Sequence, residues 1–276
     1  MSAFQAALPM IVLALVALAI VGALVGQPWL KERRRSLIRA RPFPAAWRRI
    51  MRNRVPLAAR LPSDLQIRLR RHILVFLAEK PFIGCQGQAI TDEVRVTIAA
   101  HACLLLLGQE RPGYYPRLRQ VLVYPDAFVV NRERPVGAGL VQEQRRTMVG
   151  ESWGVGQVIL SWAEVTTSAA DPADGHNVAI HEFAHQIDQD KGAADGRPWR
   201  PGAARRRNWA AVMDTALQRL RQEPSTVIDA YGATEPAEFF AVVTEVFFER
   251  PLALAAEAPT VYAELAGLYG VNPMAW

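Results

Sequence analysis

Two histidines four residues apart, with a glutamate directly after the first, carry the most specific chemistry in this sequence. Residues 177–188 read Asn-Val-Ala-Ile-His-Glu-Phe-Ala-His-Gln-Ile-Asp. On an α-helix, His181 and His185 lie one turn apart in height and about 40° apart around the axis, so both imidazoles reach the same side. That spacing suits one tetrahedral zinc ion bound through ring nitrogens at about 2.0–2.1 Å. Glu182 then stands within reach of the coordination position left open for water. A carboxylate there takes a proton from the activated water and passes it to a leaving amine. Val178, Ala179, Ile180, Phe183, Ala184 and Ile187 make the rest of the segment apolar nearly all round, as a helix buried under a site requires, and Asn177 suits its N-cap.

A zinc site needs a third protein ligand. A metzincin would have glycine at 188 and histidine at 191; Asp188 and Lys191 stand there, which excludes that class. The alternative is a carboxylate from a later helix. Residues 231–250 read Tyr-Gly-Ala-Thr-Glu-Pro-Ala-Glu-Phe-Phe-Ala-Val-Val-Thr-Glu-Val-Phe-Phe-Glu-Arg. Thr234 is the expected N-cap and Pro236 the helix opener. Glu238 and Glu245, seven apart, share one face of a helix otherwise rich in Ala, Val and Phe, where an acid needs a cationic partner. The expected assignment is Glu238 as ligand, with Glu245 behind it. Asp188, one turn beyond His185, is a candidate to orient a histidine ligand. Glu235 and Glu249 sit near helix ends and read as surface acids.

These residues must be positioned by a mixed α+β fold, mostly helical with a small sheet. A helical pattern runs from Ser63, the expected N-cap, to Glu79 before Pro81. A second opens at Thr91 and runs through Leu107 to Gly108. Between 118 and 165 the period changes to short β-branched or aromatic runs: Val121–Tyr124, Ala127–Val130 and Val158–Trp162. Glu151–Trp153 and the Gly154-Val-Gly156 pair read as a strand and a turn. From Asn177 onward the helical pattern returns.

The stretch Gly156–Trp162, the His-Glu-Phe-Ala-His-Gln-Ile-Asp run and residues Tyr231–Pro251 resemble the Mlc titration factor A family of bacterial zinc peptidases, of the gluzincin type, over about residues 63–270. The resemblance implies a zincin-like peptidase domain binding one Zn2+ through His181, His185 and Glu238, with Glu182 as base. It implies that Tyr231, seven residues before Glu238, steadies the oxyanion by a hydrogen bond from its phenol. It also implies aminopeptidase-type activity on peptide or protein substrates. Val242 stands where some gluzincins carry an acid, so support for the ligands must come from elsewhere. In zincins a strand before the metal helix forms a sheet edge that pairs with an extended peptide; Val158, Ile159, Leu160, Ser161 and Trp162 occupy that place. The alternative function implied is a regulatory module that sequesters a cytoplasmic transcriptional regulator.

The chain has 276 residues, 51% hydrophobic and 21% charged, which excludes disordered, collagen-like and disulfide-rich classes. Cys85 and Cys103 form no CxxC and read as small apolar residues. The net charge of +6 is unevenly spread: residues 31–60 hold eleven Lys or Arg and one acid, Glu32, and the remainder is slightly acidic. That distribution argues against direct nucleic-acid binding. Residues 1–30 carry no charged side chain, and Ala3–Gly26 would span about 36 Å as a helix, against a hydrocarbon core of about 30 Å. No positive n-region marks a secretory signal. The expectation is a transmembrane anchor over 1–30, a basic proline-containing linker touching lipid headgroups over 31–62, and a peptidase domain over 63–276. The positive-inside rule would make this a single-pass inner-membrane protein with its peptidase domain in the cytoplasm.

Overall fold

The computed structural model describes residues 3–126, 128–136, 140–148, 150–151 and 156–276. The chain divides into two compact units, Met1–Pro42 and Phe43–Trp276.

The first unit holds one helix, α1 (Ala3–Arg39), of 37 residues. The uncharged run does not end as a separate element at Leu30. The helix continues through the basic block, whose Lys, Arg and Leu residues are good helix formers. Arg39 pairs with Glu32 two turns earlier, and the Arg33 guanidinium lies 5.4 Å from the Trp29 ring. Among the described residues no helix is long and apolar enough to cross a membrane. This overturns the expected transmembrane anchor. The single-pass inner-membrane placement and the lipid contact of the basic block rested on that span and fall with it.

The second unit opens with α2 (Ala45–Arg54), within the segment read as a linker, and α3 (Ser63–Glu79). Trp47 Nε1 donates to Asp92 Oδ2 at 2.9 Å, tying α2 to the first turn of α4 (Asp92–Leu104). Between α3 and α4 lies a short strand, β1 (Phe82–Gly84). Thr91 caps α4 as expected, its side chain accepting from the Val94 amide. The helix stops at Leu104 rather than Leu107, because the amides of Leu106 and Leu107 bond carbonyls three residues back and the chain tightens. Pro62, not Ser63, holds the N-cap position of α3.

Then come β2 (Gln120–Tyr124), the hairpin β3 (Phe128–Val136) and β4 (Leu140–Met148), β5 (Gly150–Glu151) and β6 (Gln157–Ser161). The main sheet has the order β1-β2-β6-β5, with the first three strands parallel and β5 antiparallel to β6. β3 and β4 pair separately, from Phe128 opposite Met148 to Val136 opposite Leu140. Ala127 and residues 152–155, including most of the turn expected at Gly154–Gly156, lie outside the described residues. Trp162, expected in a strand, instead opens the helix α5 (Trp162–Ser168), because Ser161 Oγ accepts from the Glu164 amide and caps it.

The remaining elements are α6 (Val178–Asp188), α7 (Ala203–Gln222), α8 (Pro236–Glu249), α9 (Pro251–Glu257) and α10 (Pro259–Tyr269). α6 packs against β6, α4 and α8. Its Phe183 ring, fully buried, lies 5.7 Å from Phe76 of α3 and 5.0 Å from Tyr115. On α8, Phe240 meets Trp209 of α7, and Phe247 and Phe248 meet Tyr269 of α10. The small mixed sheet and the mostly helical body agree with the α+β reading. Cys103 is buried and Cys85 half-buried, both as free thiols.

Because Phe183 joins α6 to α3 and its ring has no exposed edge, Phe183→Ala should lower the stability of the metal-free protein by about 3–5 kcal/mol in urea unfolding. A loss below about 1 kcal/mol would mean that α6 is not held by this aromatic cluster.

Candidate metal centre

α6 starts where the sequence indicated. Asn177 is extended (φ −145°, ψ 98°), and its Oδ1 accepts from the Ile180 amide at 3.1 Å. This capped start directs His181 and His185 toward α8. α8 begins with Pro236 in its first turn and Glu235 at the N-cap position. Thr234, expected there, instead donates its hydroxyl to the Tyr231 carbonyl at 2.7 Å.

The two helices bring three ligand atoms together. His181 Nε2 lies 3.2 Å from His185 Nε2 and 3.1 Å from Glu238 Oε2, and His185 Nε2 lies 3.5 Å from the same oxygen. A tetrahedron with metal–ligand bonds of about 2.0–2.1 Å has edges of about 3.4 Å. The three donors therefore stand as three corners of such a tetrahedron, and this cluster can hold a metal ion. Glu238 and Glu245 are both held ionised. Burial works against charge on Glu238, but its hydrogen bonds with His181 and His185 outweigh that and hold it well below the usual carboxylate range. Burial likewise opposes charge on Glu245, and the charge on His181 with hydrogen bonds from His176, His181 and the Asn177 amide lower it.

Glu245 stands behind the cluster. His181 Nδ1 donates to its Oε1 at 2.7 Å, which leaves Nε2 to face the centre. The Asn177 amide donates to Oε2 at 2.5 Å, and His176 Nδ1 approaches the same oxygen at 3.4 Å. Without a bound ion His181 holds its proton well above the ordinary range: burial opposes the charge, but Glu245 and Glu238 more than compensate.

Glu182 is buried, only 4% exposed, on the helix that carries both histidines. Tyr231 is 50% exposed, its ring centroid 6.2 Å from that of His181. It lies on a 3-10 turn, Ala230–Ala233, fixed at both ends. Asp229 Oδ1 accepts from the Tyr231 amide at 2.7 Å, and the Arg221 guanidinium donates to the carbonyls of Ala233 and Thr234 at 2.8 and 3.3 Å.

Three sequence expectations change here. Asp188 does not orient a histidine ligand: its Oδ2 accepts from the Gly196 amide at 2.7 Å, and among the described residues neither its Oδ1 nor His185 Nδ1 has a hydrogen-bond partner. Asp188 instead ties the following loop to the end of α6. Gly196 fits there because its φ is +74° and a Cβ would come within 2.3 Å of the Pro236 carbonyl oxygen. Burial pushes the Asp188 carboxyl up to about 6, against the Gly196 amide. Next, Val158–Trp162 is not a sheet edge. β6 lies between β2 and β5, with Glu151 opposite Ile159 and Gly150 opposite Leu160, and Val158, Ile159, Leu160 and Ser161 are buried. An apolar strand of that kind reads the same from sequence whether one side or both sides are paired.

Glu249 is the third change. Expected at the surface, it is 2% exposed, and its Oε1 accepts from Asn177 Nδ2 at 3.0 Å. Burial pushes its carboxyl up to about 9, with Asp174 and Glu245 adding to the shift and Asn177 opposing it. The missed signal was its place four residues after Glu245, which puts it on the same helix face.

A folded-state value near 9 against 4.5 for a free glutamate means that the unfolded chain releases this proton first. Rising pH through that window therefore favours unfolding, by at most about 1.4 kcal/mol per pH unit. Glu249→Gln removes the titration. In urea melts of the metal-free protein, the stability of Glu249→Gln relative to wild type should rise from pH 6 to pH 8; a constant difference would show that Glu249 ionises normally.

A family profile described as "Glucose-regulated metallo-peptidase M90" matches residues 29–270. "Uncharacterized protein slr2042" of Synechocystis sp. is 39% identical over 273 residues, covering 97% of this chain and 98% of the relative. "Mlc titration factor A" of Klebsiella pneumoniae is 34% identical over 230 residues, covering 80% of this chain and 84% of the relative. The protein of the same name from Escherichia fergusonii is 34% identical over 229 residues, with the same coverage. With two histidines and a glutamate gathered on α6 and α8, and a family match over most of its length, this chain belongs to the glucose-regulated metallo-peptidase M90 family.

Proposed function

We propose that this protein is a zinc-dependent peptidase in which Glu182 is the general base. The observation that carries this reading is the triangle of His181 Nε2, His185 Nε2 and Glu238 Oε2, with edges of 3.1–3.5 Å. Two imidazoles and one carboxylate at tetrahedral spacing suit zinc, which when bound supplies a Lewis acid that acidifies a water and polarises the scissile carbonyl. Glu182 takes the proton of the attacking water and delivers it to the leaving amine, so the carboxylate is restored each cycle. Tyr231 donates its phenolic proton in a hydrogen bond to the oxyanion that develops as the carbonyl carbon becomes tetrahedral. Asp229, Arg221 and Thr234 hold the main chain of the turn, so the tyrosine is presented without reorganisation. Glu245 orients the His181 ring from behind. The finer reading is aminopeptidase-type, acting on free amino termini.

A second reading is supported by the relatives' name, Mlc titration factor A. In that reading the domain binds a transcriptional regulator and catalysis is secondary. Glu182 beside the metal cluster favours the peptidase, since sequestering a partner gives a buried general base no role.

The full chain, purified and loaded with zinc, should bind one ion and cleave members of a peptide library. Peptides with acetylated amino termini should be spared if the aminopeptidase reading holds. Glu182→Gln should retain zinc and lose at least about 100-fold in kcat; full turnover by this variant would rule out the mechanism. Tyr231→Phe should lower kcat by about 100-fold with little change in KM, and a change confined to KM would place Tyr231 in substrate binding instead.

A further inference from the structure

Asn177 touches the metal helix and its supporting acid at the same time. Its carbonyl accepts from the His181 amide at 2.9 Å, its Oδ1 caps Ile180, and its own amide donates to Glu245. It thus holds the main chain of His181 directly and the ring of His181 through Glu245. The cap also decides which end of the carboxamide is which. With Oδ1 committed to the Ile180 amide, Nδ2 must face α8, where Glu249 Oε1 receives it at 3.0 Å.

We propose that Glu249 is a positioning residue for the metal centre, acting through Asn177. Its acceptor oxygen locks the Asn177 carboxamide, and Asn177 aligns Glu245 and the start of α6 so that His181 Nε2 meets His185 and Glu238. This inference rests on the zinc reading above. Glu249 is not one of the three clustered donors; it lies one helical turn beyond Glu245 and reaches the site through Asn177. Asn177 and Glu249 are both almost wholly buried, at 1% and 2% exposure, so water cannot replace the bond between them. At neutral pH burial leaves the Glu249 carboxyl protonated. A glutamine there offers the same acceptor oxygen and the same shape, whereas a methionine keeps the length and removes the acceptor.

The test uses the full chain as wild type, Glu249→Gln, Glu249→Met and Asn177→Ser. Zinc affinity is measured by chelator competition, ligand geometry by the visible spectrum of the cobalt-loaded protein, and folding by thermal melts of the metal-free forms. Serine at 177 keeps an oxygen to cap Ile180 but has no N–H that reaches Glu249. Glu249→Met and Asn177→Ser should bind zinc about tenfold or more weakly and alter the cobalt spectrum, while Glu249→Gln restores both to wild-type values. Wild-type affinity and spectrum in Asn177→Ser would overturn the proposal, even if Glu249→Met does not fold. So would a Glu249→Gln protein as weak as Glu249→Met, since the acceptor would then not be what matters. A wild-type chain that binds no zinc would defeat the metal reading itself and this inference with it, a result distinct from any difference among variants.

Discussion

The hydrogen bond from His181 to Glu245 is the interaction on which the site depends. It ties the helix that carries two donors to the helix that carries the third, and it does so with an ionised carboxylate that is 2% exposed. A buried carboxylate without compensation would cost several kcal/mol. Here the compensation comes from the His181 ring, the Asn177 amide and His176. The two helices therefore cannot drift apart without exposing an uncompensated charge, and the same constraint turns His181 Nε2 toward Glu238.

Around that contact the fold anchors both helices in packed aromatic side chains. Phe183 on α6 and Phe240, Phe247 and Phe248 on α8 anchor the two helices in aromatic clusters on the sides away from the cluster. Side chains in such cores have few alternative rotamers, so donors on the opposite faces are placed with little freedom. The loop after α6 is held by three side chains: Asp188 accepts from the Gly196 amide, the Trp209 indole donates to the Gly196 carbonyl, and Arg117 donates to the carbonyls of Gln189 and Gly192. Close packing of Gly196 on Pro236 then links this loop to the turn of α8 that bears Glu238.

The acids of α8 show how environment divides identical side chains. Glu238, half-open and facing two imidazoles, is held ionised; Glu245, fully enclosed, is ionised because charged and neutral donors surround it; Glu249, enclosed with only the neutral donors of Asn177 and Gly175 and with negative neighbours, keeps its proton. Three glutamates on one helix face thus carry different electrostatic characters, set by whether the groups that reach each one are cationic, neutral or negative.

What the sequence determined by itself was local. The spacing of His181 and His185, the cap at Asn177, the proline at the start of α8 and the shared face of Glu238 and Glu245 follow from the geometry of single helices, and the structure places these residues together. The N-terminal anchor was expected on the same kind of local evidence, and among the described residues no helix is long and apolar enough to cross a membrane. Only the tertiary structure decided the rest. Whether β6 had one neighbour or two, whether Asp188 turned to His185 or to Gly196, and whether Glu249 faced water or Asn177 depend on residues tens of positions away, and burial and hydrogen-bond partners across elements leave no periodic trace in the chain that bears them.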